Sequence, residues 1–598
     1  SGTTGDVNNS GTFTNNTGGV VGAVTNNSSG TFYNSGTTGN VTNAGTFTNN
    51  AGGVTGTVDN SGTFTNNGTT GAFTNSGTLT NGGTIASLIN SGTATNTGTI
   101  TGTVTGPDGQ PFKGAFVQAR NSKTKITTSV LTGKDGKYKV PDLGEGEYRV
   151  TIRAAGFRGD IKSGVKLGAN DNGAIDFALK KGDVRWSDLS IYQGKQLAPE
   201  HPGKAMLFGL CMACHGFQGK MAAVSRTEED WRDRVAFMRE SMRASLGDRR
   251  GFDDEKAERV TQYLTKLFSE DSILPKSPTQ HPDYARSVET FSDEALNIVF
   301  VDWEMPGPNR FPWTAQPDRD GMFWTPEYGQ ANKISRLDPA TGKFDEFPAP
   351  HIGTAMIHSA VPAPDGSIWL TEAGSKKLGK WDPATKKIVE YQDSLNKHTV
   401  KILPDGRIFS SGGLTVFDPK TAAFTHIPEV PSAYGVDLDS KGNIWFTENI
   451  REGKIGKVDP ATLKVTKYTP PTKDRPRRVT VDANDNVWFG EFDTGKLGRF
   501  DPKTEKITEY QLPHPLTKPY ALKVGADGGI WYSSTYRDLI GRLDPQTGKI
   551  VEYPVPYTDN GMRDFFPDKQ GRLWFGTPPN NKIGYFYIAD RQRRAEAK

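Results

Sequence analysis

Gly442-Asn443-Ile444-Trp445-Phe446-Thr447-Glu448 is followed by Lys454-Ile455-Gly456-Lys457-Val458-Asp459-Pro460 and then by Lys464-Val465-Thr466-Lys467-Tyr468. Variants of this phrase return across residues 286–598 with a period of about 42, the length of one four-stranded blade. The aromatic anchor recurs at Trp324, Trp369, Phe409, Trp445, Trp488, Trp531 and Trp574. The Asp-Pro turn recurs at Asp338, Asp382, Asp418, Asp459, Asp501 and Asp544. Seven anchors predict a seven-bladed β-propeller. The last repeat lacks an outer strand, and Asn297–Pro306 resembles the outer strand ending Glu509-Tyr510-Gln511-Leu512-Pro513, so it is expected to close the ring.

The repeat also aligns equivalent positions. Trp313, His358, His398, Tyr434, Arg477, Tyr520 and Arg563 begin the innermost strands and should ring one mouth of the central channel. Three residues after each anchor come Glu327, Glu372, Gly412, Glu448, Glu491, Ser534 and Thr577, a second ring expected near the same mouth. Packing does not require this set of His, Arg, Tyr and Glu, so the mouth is a candidate binding or catalytic site. The competing reading is a solvated funnel with ordinary salt bridges.

Upstream lies Cys211-Met212-Ala213-Cys214-His215, the C-x-x-C-H signature for covalent attachment of a c-type haem. The two thiols suit thioethers to the haem vinyl groups, and His215 suits the proximal iron position. A zinc site would need further Cys or His pairs, and the chain has 2 Cys in all. A thioredoxin-like pair would need a βαβ context that is missing here. Trp231, Val235, Met238 and Met242 share one face of a helix opened by Thr227, and Val260, Tyr263, Leu264 and Leu267 share one face of a last helix. Met238 is the first choice for sixth iron ligand and Met242 the second, with Met221, Met206 or an open position after them. Asp183–Pro199 reads as a linker.

Residues 1–102 are almost wholly Gly, Thr, Asn and Ser, with Gly-Thr-Phe or a variant at Gly11, Gly30, Gly45, Gly62, Gly77 and Gly92. Such short steps suit the coils of a β-solenoid. Phe13, Phe32, Phe47, Phe64, Leu79 and Ala94 should stack in one column, and Val24, Val41, Val58, Phe73 and Leu88 in another. Asn-Ser-Gly and Asn-Asn-Thr are expected at the corners, where Gly and Asn tolerate positive φ. Residues 103–182 show short alternating strands between turns such as Pro107-Asp108-Gly109 and Lys134-Asp135-Gly136, a small β-sandwich.

Four resemblances follow from these motifs. The first hundred residues loosely resemble adhesin and autotransporter repeats, which implies a surface-attached or stacking element. Residues 103–182 resemble the carboxypeptidase regulatory-like domain, which implies a spacer or binding module. Residues 183–285 resemble a small class I type cytochrome c domain, which implies one covalent haem c held by Cys211, Cys214, His215 and Met238. The blades resemble the virginiamycin B lyase family, which implies a His base and a Glu-bound divalent metal near the channel mouth. In that family the later of two His on adjacent blades is followed fourteen residues on by the metal-binding Glu. Here His358 and His398 lie on adjacent blades and His358 is followed at fourteen by Glu372, but the position fourteen after His398 is Gly412. The set is incomplete, and an elimination has no use for an electron carrier.

The chain thus reads as mainly β and multidomain, a β-solenoid, β-sandwich, small all-α haem domain and seven-bladed propeller in 598 residues. A net charge of +4 at this length argues against a nucleic-acid partner. No run of 18 apolar residues marks a membrane span, and Ser1 opens inside a repeat, as expected for a mature or trimmed N-terminus. Haem attachment places the protein in the periplasm or at the cell surface. The first expectation is an extracytoplasmic electron-transfer protein whose propeller mouth takes a redox partner protein or a small-molecule substrate. The second is a metal-dependent lyase or hydrolase using His358, His398 and Glu372. The third is a structural, self-associating surface protein.

Overall fold

The computed structural model describes residues 2–90, 93–96, 98–168, 172–213, 216–246, 251–431 and 433–589. The chain divides into two compact units, one holding residues 1–182 with short later segments, the other holding residues 183–295 and 302–586.

In the first unit every coil of the solenoid adds parallel strands to two sheets. Phe13 pairs with Phe32, Phe32 with Phe47, Phe47 with Phe64, and Leu79 with Ala94 in register. The rings of Phe13, Phe32, Phe47 and Phe64 stack at 4.9, 4.8 and 4.7 Å. Val24, Val41, Val58, Phe73 and Leu88 form the second in-register column. The side chains of Leu88 and Ala94 lie outside the described residues.

The asparagines correct the sequence reading. They do not make corners through positive φ, which among the described solenoid residues occurs at Gly18 and Gly52. They end strands and turn inward. Asn26 donates to Asn43 at 2.7 Å and Asn43 to Asn60 at 2.7 Å, while Asn34, Asn49 and Asn66 form a parallel ladder at 2.9 and 2.8 Å. A buried amide is tolerable only when bonded, and a repeat supplies the same partner in the next coil. The corner glycines answer to crowding instead: a Cβ on Gly62 would lie 2.2 Å from the Gly45 carbonyl oxygen.

The strand Gly98–Thr105 crosses the expected boundary at 102–103 and belongs to the sandwich, pairing antiparallel with Lys137–Leu143. A second sheet runs through Phe116–Asn121, Thr127–Leu131, Gly146–Arg153 and Asp160–Leu167. Val104, Val117, Val140, Val150, Tyr138 and Tyr148 fill the space between.

The second unit opens with helices α1 (Ile191–Leu197), α2 (Lys204–Gly209), α3 (Glu228–Leu246), α4 (Asp254–Phe268) and the single turn α5 (Tyr284–Ser287). Thr227 caps α3 by accepting from the Asp230 N–H, and Asp253 caps α4 by accepting from Lys256. Trp231, Val235, Val260, Tyr263, Leu264 and Leu267 pack together, as their spacing predicts. The stretch read as a linker is part of this core: Trp186 is buried in it and donates to the Pro275 carbonyl at 2.9 Å.

The rest of the unit is a ring of four-stranded antiparallel sheets. Innermost strands begin at Gln316, Ile357, Val400, Ala433, Pro476, Pro519 and Phe566, and the first touches the last. The seventh sheet takes its outer strand from Ile298–Glu304. There Trp303 stacks on Trp574 at 5.3 Å, and the buried Asp302 accepts from Lys582 and Tyr557, both at 2.7 Å. Four anchor indoles (Trp324, Trp445, Trp488, Trp574) donate to an aspartate six residues earlier at 2.8–3.0 Å. Each of these four blades thus pins its own first turn to its core.

Candidate functional site

The first ring of residues converges. The imidazoles of His358 and His398 lie 3.7 Å apart, and Tyr434 follows His398 at 4.3 Å. Trp313 closes on His358 at 5.4 Å and stacks on Tyr328 at 4.3 Å. The Arg477 guanidinium lies 3.9 Å from the Tyr520 ring, and that of Arg563 lies 4.6 Å from Tyr520 and 4.8 Å from Trp313. Tyr434 and Tyr520 share a hydrogen bond between their hydroxyls. His358, Arg477, Tyr520 and Arg563 are buried.

The ring is positioned from behind. The anchor strand of one blade carries a hydroxyl that grips a backbone carbonyl at or beside the ring position of the next. Thr371 donates to the His398 carbonyl at 2.6 Å, Ser411 to that of Tyr434 at 2.9 Å, Thr447 to that of Arg477 at 2.5 Å, and Ser533 to that of Met562 at 2.8 Å. The hydroxyl two residues after four of the seven anchors was the signal in the sequence that went unread.

The second ring does not join the first. Successive strand residues point to opposite faces, so while Thr371 reaches the next blade, Glu372 turns back to its own. It accepts from Ser375 at 2.6 Å beside Glu390 and Lys377. Glu327 accepts from Ser335 and lies 3.6 Å from Arg310, and Glu448 is held by Lys467 at 2.8 Å. Glu491 is buried beside Glu509, and burial first, then that neighbouring charge, push its carboxyl up to about 8. Ser534 and Thr577 donate to the Thr517 and Asn560 carbonyls. Among the described residues no group of three His, Cys, Asp or Glu side chains is arranged to hold a metal ion.

Electrostatics at the mouth are set by arginine. Burial, then the charges of Arg478 and Arg563, hold the His358 imidazole neutral well below its usual range. Burial, His358 and the same arginines do so for His398. Burial alone would raise Tyr520, but Arg477, Arg563 and Arg478 outweigh it and draw the phenol below its usual range, while burial and Tyr520 push Tyr434 up. Beneath the ring lies a cavity of about 50 Å³, lined from all seven blades by residues that include Thr399, Lys401, Asp437, Arg478, Lys523 and Asp564. Asp437 pairs with Lys401 at 2.7 Å and Lys523 at 3.6 Å, and Arg478 lies 3.8 Å from Asp564.

The helical segment packs on this same end of the propeller, within one unit. Gly216 N–H donates to Asp559 at 2.8 Å, Gln218 to Asp538 at 3.2 Å, and Tyr536 to the Phe208 carbonyl. Arg537 bridges Glu289 and Glu552. Asp559 lies four residues before Arg563 in the loop that leads into the last innermost strand, and Asp538 lies in the turn between Ile530–Ser534 and Leu539–Leu543. Burial and Asp493 push the Tyr536 hydroxyl up, and both Arg477 and Cys211 act on it, so the signature turn and the mouth share a neighbour. Cys211 sits on the short turn Cys211–Ala213 after α2, packed against the helical core. Cys214 and His215 lie outside the described residues, as does the Met242 side chain. Met238 is half-buried on α3, Met221 is buried in the core, and Met206 packs against it.

Residues 422–591 match the virginiamycin B lyase family model, and residues 99–180 match the carboxypeptidase regulatory-like domain. Similar solved structures include virginiamycin B lyase from Staphylococcus aureus, 24% identical over 49% of this chain and 99% of that one, with a TM-score of 0.45. A streptogramin B lyase is 26% identical over 50% of this chain and 100% of that one, with a TM-score of 0.46. No curated protein matches the chain. The protein therefore carries a virginiamycin B lyase family domain and a carboxypeptidase regulatory-like domain beside a β-solenoid. A propeller of this family supports a binding or enzymatic role at the propeller.

Proposed function

We propose that this is an extracytoplasmic c-type haem protein in which the helical segment carries electrons and the propeller mouth takes the substrate or redox partner. The observation that carries this reading is the seating of the signature turn. Phe208 on one side of it and Gly216 on the other are tied to Tyr536 and Asp559 of the propeller.

The residues fit the group. Cys211, Cys214 and His215 supply two thiols and an imidazole at the required spacing. Leu207, Phe208, Met212, Phe217 and Leu264 supply the dry surroundings that a haem needs. Cys211 and Cys214 would hold the vinyl groups, and His215 and Met238 would be the iron's protein ligands. When bound, the haem supplies one-electron transfer. The chain's own residues do the rest. Tyr536 and Asp559 orient the turn, and the His358–His398 pair offers uncharged imidazoles able to take a proton from a ligand in the mouth.

A lyase-like reading keeps one supporting observation, the adjacent neutral imidazoles of His358 and His398, but Glu372 turns away from them. The test is the optical spectrum of protein made in a host that matures c-type haem, oxidised and reduced, with and without carbon monoxide. A c-type spectrum indifferent to carbon monoxide is expected, with both axial positions filled. Ready binding of carbon monoxide would remove Met238 as ligand, and the absence of any haem spectrum would remove the proposal.

A further inference from the structure

The mouth holds more positive charge than packing uses. Arg477, Arg478 and Arg563 are each 3–4% exposed and surround one point beside Tyr520. Burying a guanidinium costs several kcal/mol unless an anion answers it. The lining below brings two carboxylates, Asp437 and Asp564. Asp437 is shared by Lys401 and Lys523. Asp564 stands 3.8 Å from Arg478, beyond a hydrogen bond. Three buried nitrogens here have no hydrogen-bond partner: Nε of Arg477, Nη2 of Arg478 and Nε2 of His358. Native proteins rarely leave guanidinium donors such as those of Arg477 and Arg478 unmet. The adjoining cavity of about 50 Å³ is several times what one water needs, ~10–15 Å³.

We infer that the propeller mouth is a carboxylate-binding site, in which Arg477, Arg478 and Arg563 clasp an acid group that enters beside Tyr520. Arginine suits this role because its planar fork matches a carboxylate with two parallel hydrogen bonds. Without the acid, the Tyr520 hydroxyl is the group best placed to answer the charge, and a bound carboxylate displaces that role. Tyr520 then reports occupancy by regaining its proton. The inference rests on the reading of the mouth as the ligand site and adds the chemistry of the ligand. The carboxylate has two sources, a free organic acid or a propionate of the haem carried next door.

The probe is succinate, with uncharged succinamide as control, at constant ionic strength. Two signals are followed: the near-ultraviolet phenolate band and the melting temperature, which a ligand of the folded state raises. Succinate is expected to bleach the band and raise the melting temperature saturably, while succinamide does neither. Arg477→Gln with Arg563→Gln should weaken binding at least about tenfold. Arg477→Lys, which keeps charge but not the fork, covers the case in which that pair fails to fold, and it should also weaken binding. Binding to the haem-loaded protein identifies a free acid as the occupant. Binding only after Cys211→Ser and Cys214→Ser have removed the haem identifies a propionate. Saturation in neither form, or unchanged affinity in the arginine variants, overturns the inference. Equal binding of succinate and succinamide would overturn it too, while leaving the mouth as a ligand site.

Discussion

The hydroxyls of Tyr434 and Tyr520, carried by the fourth and sixth blades, meet in a single hydrogen bond at the channel mouth. The pair is not symmetric. Burial and its partner's charge raise Tyr434, whereas the surrounding guanidiniums lower Tyr520 against the pull of burial. Tyr434 is therefore the donor once Tyr520 ionises.

Tyr520→Phe should remove a tyrosinate absorbance that the parent protein develops below the normal phenol range near 10. A lowered folded value stabilises the fold above that value, so the parent should gain stability relative to the variant as pH rises from about 7 to about 10. A near-ultraviolet pH titration with parallel denaturant melts checks both.

His358 and His398 are uncharged in the fold but titrate normally when unfolded. The unfolded chain takes up protons first, so stability should fall as pH drops below about 6.5, by up to about 1.4 kcal/mol per pH unit for each imidazole. His358→Gln should make the acid limb shallower. Urea melts between neutral and mildly acid pH measure it, and an unchanged slope would refute the assignment.

Glu491 works in the opposite sense. Its carboxyl, raised to about 8, is protonated in the fold at neutral pH, and stability from it is lost as pH rises through that value. Glu491→Gln should gain stability over the parent as pH rises from about 4.3, where the unfolded carboxyl ionises, to about 8, and hold that gain without further change above it. Thermal melts across that range are the readout.

Asp559→Ala should loosen the helical segment from the propeller, since it removes a carboxylate that accepts from the Gly216 N–H. A hydrogen bond to a charged group contributes about 1.5–3 kcal/mol. Hydrogen exchange around Gly216 and Phe217 should quicken while the blades keep their protection.

Asn49→Ala should unsettle the solenoid alone. It removes the acceptor of Asn34 and the donor to Asn66, leaving buried partners at about 1–3 kcal/mol each. Exchange protection should fall in the flanking coils and hold at Trp445 and Trp488.

The ring of seven was legible because the repeat places one residue of each blade at the same strand start, and equivalence in sequence became proximity in space from Trp313 to Arg563. The glutamates lie at the expected end of the strands, Glu372 paired with Ile357 and Glu491 with Pro476, but a strand's alternation decides facing, and one step separates Thr371, which reaches His398, from Glu372, which does not. The buried asparagine ladders were read as corners because the residue favoured in turns is also the one whose amide pairs with copies of itself. The seating of the helical segment on the mouth was illegible. It rests on single contacts such as Gly216 with Asp559, 343 positions apart, which no local pattern encodes.

The pairing of Asp302 with Lys582 spans 280 positions and completes the seventh blade. During synthesis the helical segment and the first six blades emerge before the piece that seals the circle. Until Trp574 and Lys582 have left the ribosome, Trp303 and Asp302 lack the partners that cover them, and the first blade lacks its neighbour. The mouth can be assembled only when both ends of this span are present. A chain cut short before Lys582 therefore presents an open, sticky arc to proteases and chaperones, and only a finished chain passes that inspection.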